Sequence, residues 1–65
     1  MKSGILKFFH EKKGYGFITQ ADSTEIFFHV TGVECDPKQL VEGAIVNYTI
    51  GKNKKGIIAE QVTVQ

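Results

Sequence analysis

The residues best suited to chemistry in this sequence are aromatic rings, and they fall into two short runs. Residues 13–18 read Lys-Gly-Tyr-Gly-Phe-Ile, and residues 25–30 read Glu-Ile-Phe-Phe-His-Val. Successive side chains of a β-strand point to opposite faces, so the rings would alternate with residues such as Ile18 and Phe28. If those two face the core, the rings between them face water beside a lysine. The predicted outward set is Lys13, Tyr15, Phe17, Phe27 and His29.

Exposed rings beside lysines suit single-stranded nucleic acid. Unpaired bases stack on aromatic side chains at about 1–3 kcal/mol per base, while a positively charged surface follows the phosphates. A contiguous exposed apolar patch usually marks a binding site. The alternative is an inverted pleat, which would bury Lys13 and His29. It would also expose Ile18, Ile26 and Phe28, and it is therefore disfavoured.

Metal and nucleophile chemistry are not indicated. His10 and His29 lie 19 positions apart without companion ligands, whereas a zinc site needs three or four. Cys35 has no activating base nearby in the sequence, and nothing orders Ser, His and Asp as a triad. We expect no metal, no cofactor and no enzymatic activity.

Charge is unevenly distributed along the chain. The net charge is +1, but residues 1–20 carry +3, residues 21–42 carry −4 and residues 43–65 carry +2. Such segregation can present a basic face to an anionic ligand, although solvated surface charge is the simpler explanation. All the basic residues are Lys. Arg is the usual reader of guanine, so any binding of nucleic acid should read sequence weakly.

The length and composition predict one small domain over residues 1–65, since domains typically span about 50–200 residues. Apolar runs reach only three residues, far below the ~18 of a membrane span, so we expect neither a membrane span nor a signal peptide. The lone Cys35 favours a reducing compartment. We expect a soluble, monomeric cytoplasmic protein that does not contact membranes.

Turn residues divide the chain into five segments with strand-like patterns and one helical turn at residues 36–40, where Asp precedes Pro. Five short strands without a substantial helix predict a closed antiparallel barrel, because closure removes exposed sheet edges. The predicted strands are Ile5–Phe9, Gly14–Gln20, Glu25–Val30, Ala44–Ile50 and Ile58–Val64. Alternation places Ile26, Phe28 and Val30 inward, groups Val46, Tyr48 and Ile50, and sets Ile58, Glu60, Val62 and Val64 opposite Ala59, Gln61 and Thr63.

Two motifs carry a resemblance to a known family. Residues 13–18 resemble the first ribonucleoprotein motif and residues 26–30 the second. An RNA-recognition-motif domain has them in the opposite order, with two helices behind the sheet. With Lys-Phe-Phe-His at residues 7–10 and Glu-Gly at residues 42–43, nearly the whole chain resembles a bacterial cold-shock protein of the cold-shock domain family.

This resemblance implies an all-β, five-stranded antiparallel OB-fold barrel. It implies binding of single-stranded RNA and single-stranded DNA with low sequence preference, and a role as an RNA chaperone or regulator of transcription and translation. The residues that match the binding face of the family are Lys7, Phe8, Lys13, Tyr15, Phe17, Phe27, His29 and Lys55.

The chain also departs from the family pattern. Family members usually have Trp at the position of Phe8, Asn at that of His10, and often an aromatic residue at that of Val30. The loop at residues 34–38 is one residue shorter and lacks a Phe that many members carry. Up to two stacking positions are therefore missing, which leaves weaker affinity, a shorter footprint or a changed base preference open.

Two other functions would also use an exposed aromatic face. A small SH3-like or OB barrel could bind a peptide there, and some OB folds bind oligosaccharides. The lysines beside the rings favour nucleic acid over both. The peptide-binding module is the main alternative.

Overall fold

Five strands form the fold of the computed structural model, which describes residues 1–54 and 56–65. Lys55, a predicted binding residue, lies outside the described residues. Between the third and fourth strands, one-turn 3-10 helices form at Val30–Gly32 and Pro37–Gln39. The strands are β1 (Lys2–His10), β2 (Tyr15–Thr19), β3 (Glu25–His29), β4 (Ile45–Asn53) and β5 (Gly56–Val64).

The strands close into a barrel in the order β1-β2-β3-β5-β4, which confirms the predicted all-β OB-fold barrel. One pairing departs from the antiparallel prediction: β3 and β5 run parallel, with Phe27 opposite Ile58 and Phe28 opposite Ala59. The reason is that the number of strands is odd. Strand direction cannot alternate all the way round a closed ring of five strands, so at least one neighbouring pair must be parallel.

The core confirms the predicted faces of β2 and β3. Gly16 and Ile18 of β2 are buried, as are Ile26 and Phe28 of β3. A Cβ atom at Gly16 would lie 2.7 Å from the Phe28 ring, so glycine at this position makes room for a large core side chain. The buried hydrophobic residues are Leu6, Ile18, Ile26, Phe28, Leu40, Val46, Tyr48, Ala59 and Val62.

Two predictions about which side chains face the core were wrong. Ala59 and Val62 both have no exposed surface, although simple alternation set them on opposite faces. The register between β4 and β5 shifts in this region, and Gln61 has a φ of 53°. A β-bulge adds one residue and so changes the phase of a strand. Val30 was predicted to end β3 facing inward, but it is only half-buried and begins a 3-10 helix.

The predicted helical turn is confirmed as a short 3-10 helix. The Asp36 carboxylate accepts a hydrogen bond from the backbone N–H of Lys38 at 3.0 Å, and Pro37 occupies the first position. This segment leads to Leu40, which contributes to the core before β4 begins.

We expect Phe28→Ala to lower the free energy of unfolding by about 3–5 kcal/mol, because it removes a fully buried ring and leaves a cavity. Phe17→Ala is the matched control, since Phe17 lies on the outer face, and it should cost much less. Denaturant unfolding of both variants measures this. A larger loss for Phe17→Ala than for Phe28→Ala would contradict the assignment of faces.

A second prediction concerns Tyr48, whose hydroxyl donates to Gln20 Oε1 at 2.8 Å. Burial raises the pKa of Tyr48 above its usual value of 10.0, and the nearby charge of Asp22 adds to the rise. A raised pKa in the folded state means that this stabilisation is present below pH 10 and is lost as pH rises through the folded-state pKa.

The free energy of unfolding should therefore fall above about pH 10 in the wild type. It should fall less steeply in Tyr48→Phe, which cannot ionise at this position. Tyr15→Phe is the matched control for the loss of a phenol, since Tyr15 lies on the outer face and is only partly buried. Denaturant unfolding across pH 8–11 measures the three slopes. Equal slopes in wild type and Tyr48→Phe would contradict the prediction.

Candidate nucleic-acid interface

The turn between β2 and β3 aligns the two aromatic runs. Asp22 Oδ1 accepts from the backbone N–H of Thr24 at 3.1 Å and from its hydroxyl at 2.5 Å. These hydrogen bonds lower the pKa of the Asp22 carboxyl, because they favour its ionised form. The turn sets Phe17 directly opposite Phe27 and Tyr15 directly opposite His29.

Five rings meet on the outer face of β1, β2 and β3. The centroids of Phe17 and Phe27 are 5.7 Å apart, those of Phe8 and Phe17 are 5.4 Å apart, and those of Tyr15 and Phe27 are 5.8 Å apart. Such separations are typical of interacting aromatic pairs. We call these rings the aromatic surface: Phe8, His10, Tyr15, Phe17 and Phe27.

A β-bulge in β1 controls which rings reach this surface. Leu6 is opposite Ile18, but the next registered pair is Phe8 with Phe17, so Lys7 is the extra residue. Leu6 is buried and Lys7 is exposed. The bulge allows consecutive residues, Lys7 and Phe8, to lie on the outer side, where a regular strand would separate them.

His10 belongs to the aromatic surface, although it is not among the binding residues predicted from the sequence, where it was considered as a metal ligand and as a departure from the family pattern. Its ring centroid lies 5.3 Å from that of Phe8 and 5.4 Å from that of Tyr15. The signal in the sequence was its position two residues after Phe8, which places both on one face of β1.

His29 lies at the edge of the aromatic surface, opposite Tyr15, and its side chain is exposed. Its ring Nδ1 accepts from the backbone N–H of Thr31 at 3.2 Å. The neutral ring in this geometry therefore carries its proton on Nε2, which leaves that nitrogen as a donor. The same contact caps the 3-10 helix at Val30–Gly32 and holds the imidazole in place.

The predicted lysines have different surroundings. Lys13 is exposed in the turn between β1 and β2, together with Lys12. Gly14 follows with a φ of 72°, a conformation that favours glycine. Lys7 instead forms an ion pair with Glu25, a contact that the sequence did not indicate.

At the positions where the chain departs from the family pattern, no aromatic ring extends the surface beyond His29. Val30 is half-buried in the 3-10 helix. Residues 34–38 carry no aromatic side chain, and Cys35 packs against the core. The described chain therefore presents its rings on β1, β2 and β3.

Across residues 1–54 and 56–65, no group of three or more His, Cys, Asp or Glu side chains is arranged to hold a metal ion. In the same part of the chain, no helix has the length and apolarity needed to cross a membrane.

These features define a small OB-fold barrel, and comparison with known proteins specifies it further. The model of the 'Cold-shock' DNA-binding domain matches residues 2–65. The chain belongs to the cold-shock domain family, as its motifs predicted, and thus to a family of nucleic-acid-binding proteins.

Similar proteins occur in several bacteria. A cold shock-like protein of Thermotoga maritima is 42% identical over 62 residues, covering 94% of each chain. Cold shock protein 2 of Lactiplantibacillus plantarum is 39% identical over 66 aligned positions, covering 100% of each chain. Cold shock protein CapB of Pseudomonas syringae pv. tomato is 36% identical over 64 residues, covering 97% of this chain and 93% of the relative.

We expect Phe17→Ala and Phe27→Ala each to weaken binding of a single-stranded oligothymidine by about 1–3 kcal/mol, the usual contribution of one stacked base. Val41→Ala is the control, because Val41 is 58% exposed and lies outside the aromatic surface. Fluorescence titration measures the three affinities. Unchanged binding by both Phe variants would contradict a stacking role.

Proposed function

We propose that this protein binds single-stranded RNA and single-stranded DNA with low sequence preference. The observation that carries the proposal is the row of Phe8, Phe17 and Phe27, which crosses three neighbouring strands with its rings turned away from the core. Three outward rings in one row contribute little to the core. They offer successive faces on which unpaired bases can stack.

The proposed contacts divide into stacking and charge. The rings of the aromatic surface and His29 would stack on bases, and lysines would contact the phosphates. The proposed binding residues are Lys7, Phe8, Lys13, Tyr15, Phe17, Phe27, His29 and Lys55, with His10 added from its ring contacts. Lys55 enters through the family resemblance alone.

Low sequence preference follows from the same chemistry. Every base has a π face, so stacking tolerates many sequences. The chain has no Arg, and Lys lacks the planar fork that reads guanine bidentately. Base discrimination should therefore be far weaker than that of proteins that read duplex DNA.

Binding of this kind supports a role as an RNA chaperone or as a regulator of transcription and translation. A ligand that binds only the unpaired state shifts the folding equilibrium of RNA toward that state by mass action. No bond is made or broken, so the proposed activity is that of a binding protein rather than an enzyme. The proposed active unit is a monomer of residues 1–65 acting in the cytoplasm.

The second candidate function is a peptide-binding module that uses the same rings. Salt dependence separates it from nucleic-acid binding. Each phosphate neutralised on a single strand contributes about −0.7 to the slope of log affinity against log salt. Lys7 is paired with Glu25 and is not counted. The two remaining candidate contacts, Lys13 and Lys55, predict a slope of about −1.4. Peptide binding in an apolar groove predicts a slope near zero.

We expect binding of a heptanucleotide to show this slope, and duplex DNA of equal length to bind much more weakly. Lys12→Gln with Lys13→Gln should make the slope shallower by about 0.7, while affinity from stacking persists at high salt. Titrations with single and double strands at four salt concentrations provide the measurement. A zero slope that these lysines do not affect would support the peptide-binding module instead.

A further inference from the structure

Lys7 and Glu25 form an ion pair on the outer side of the barrel. Lys7 Nζ donates to Glu25 Oε2, and the side chains are 50% and 43% exposed. The two residues are 18 positions apart in sequence and come from β1 and β3. Lys7 is the extra residue of the bulge in β1, and it lies on the outer side between the outward residues Ile5 and Phe8.

The pair borders the aromatic surface. Glu25 is opposite Thr19, which is opposite Ile5, so these three residues form a row across β3, β2 and β1. The next outward row is Phe27, Phe17 and Phe8. A nucleic-acid strand stacked on that row would bring its phosphates and sugars close to Lys7 and also to Glu25.

Glu25 therefore changes what Lys7 can offer to a phosphate. An ammonium group paired with a carboxylate is already partly neutralised. When such a lysine contacts a phosphate, one ionic contact replaces another, so fewer counterions are released than with an unpaired lysine. The carboxylate left behind would also repel the phosphate. At this edge of the aromatic surface, the pair contributes little net charge.

From this contact we infer that Glu25 limits the affinity for single-stranded nucleic acid by holding Lys7 away from the phosphates. The inference rests on the proposed function and deepens it. The basic turn at Lys12 and Lys13 then provides the electrostatic contact at one end of the aromatic surface. The opposite end, beside Ile5 and Glu25, binds through stacking alone until the ion pair opens.

If Glu25 acts through Lys7, the effect of removing the Glu25 charge on binding must depend on the presence of Lys7. Glu25→Gln should tighten binding of a fluorescent heptathymidylate about two- to fivefold at low salt, the range that one exposed ion pair represents. It should also steepen the slope of log affinity against log salt by about 0.7, because Lys7 becomes a free phosphate contact.

A double-mutant cycle tests the dependence on Lys7. The gain from Glu25→Gln should fall by at least half when it is measured in a Lys7→Gln background, and the steeper salt slope should disappear. Glu42→Gln is the matched control for net charge, since Glu42 is exposed and lies outside β1, β2 and β3. Thermal unfolding establishes that each variant is folded.

The outcomes separate the inference from the proposed function. Weaker binding by Glu25→Gln would overturn the inference, because it would show that the carboxylate itself contacts the ligand. Equal gains from Glu25→Gln in the presence and absence of Lys7, or equal gains from Glu42→Gln, would also overturn it. Failure of the folded wild type and every variant to bind any single strand would overturn the proposed function itself.

Discussion

Closure of a small barrel is the constraint on which the rest of this structure depends. Its interior is filled by side chains, so one face of each strand must supply apolar groups that fit together. Gly16 and Phe28 show how tight this fit is, because a Cβ atom on the glycine would overlap the ring. Once Ile18 and Phe28 occupy the interior, Phe17 and Phe27 have only the outer face available. The exposed aromatic surface is thus a direct consequence of how the core is filled.

Closing a barrel with five strands also requires a departure from regular antiparallel pairing. One pairing must be parallel, and it falls between β3 and β5, where only a short ladder forms. Bulges at Lys7 and Gln61 change the phase of β1 and β5. These irregularities have functional effects, since the bulge at Lys7 brings a cation and the ring of Phe8 to the same side. The strand irregularities of the closed barrel therefore also determine which side chains reach the candidate interface.

The charged residues at the interface are distributed unevenly, which the net charge of the chain does not show. The chain carries only +1 overall, yet Lys12 and Lys13 lie in an exposed turn at one end of the aromatic surface. At the other end, Lys7 is paired with Glu25. A ligand that is both aromatic and anionic would meet stacking groups along the whole surface and two exposed lysines at one end. This asymmetry distinguishes the surface from a uniformly basic groove.

The sequence by itself determined the features that depend on neighbours along the chain. Alternation predicted the faces of β2 and β3, glycine and Asp-Pro signals predicted the turns, and the order of the two motifs indicated the family. Local steric rules suffice for these, because a strand turns successive side chains to opposite sides whatever surrounds it. Most of the aromatic surface could therefore be predicted without a structure.

Only the tertiary structure decided the features that depend on partners distant in sequence. The burial of both Ala59 and Val62 required the register of β4 against β5, and the outward position of both Lys7 and Phe8 required the bulge in β1. The Lys7–Glu25 pair joins residues of β1 and β3, which are not neighbours in the barrel order. Periodicity along one strand cannot reveal a bulge or an ion pair, because both are set by the energy of packing several strands together.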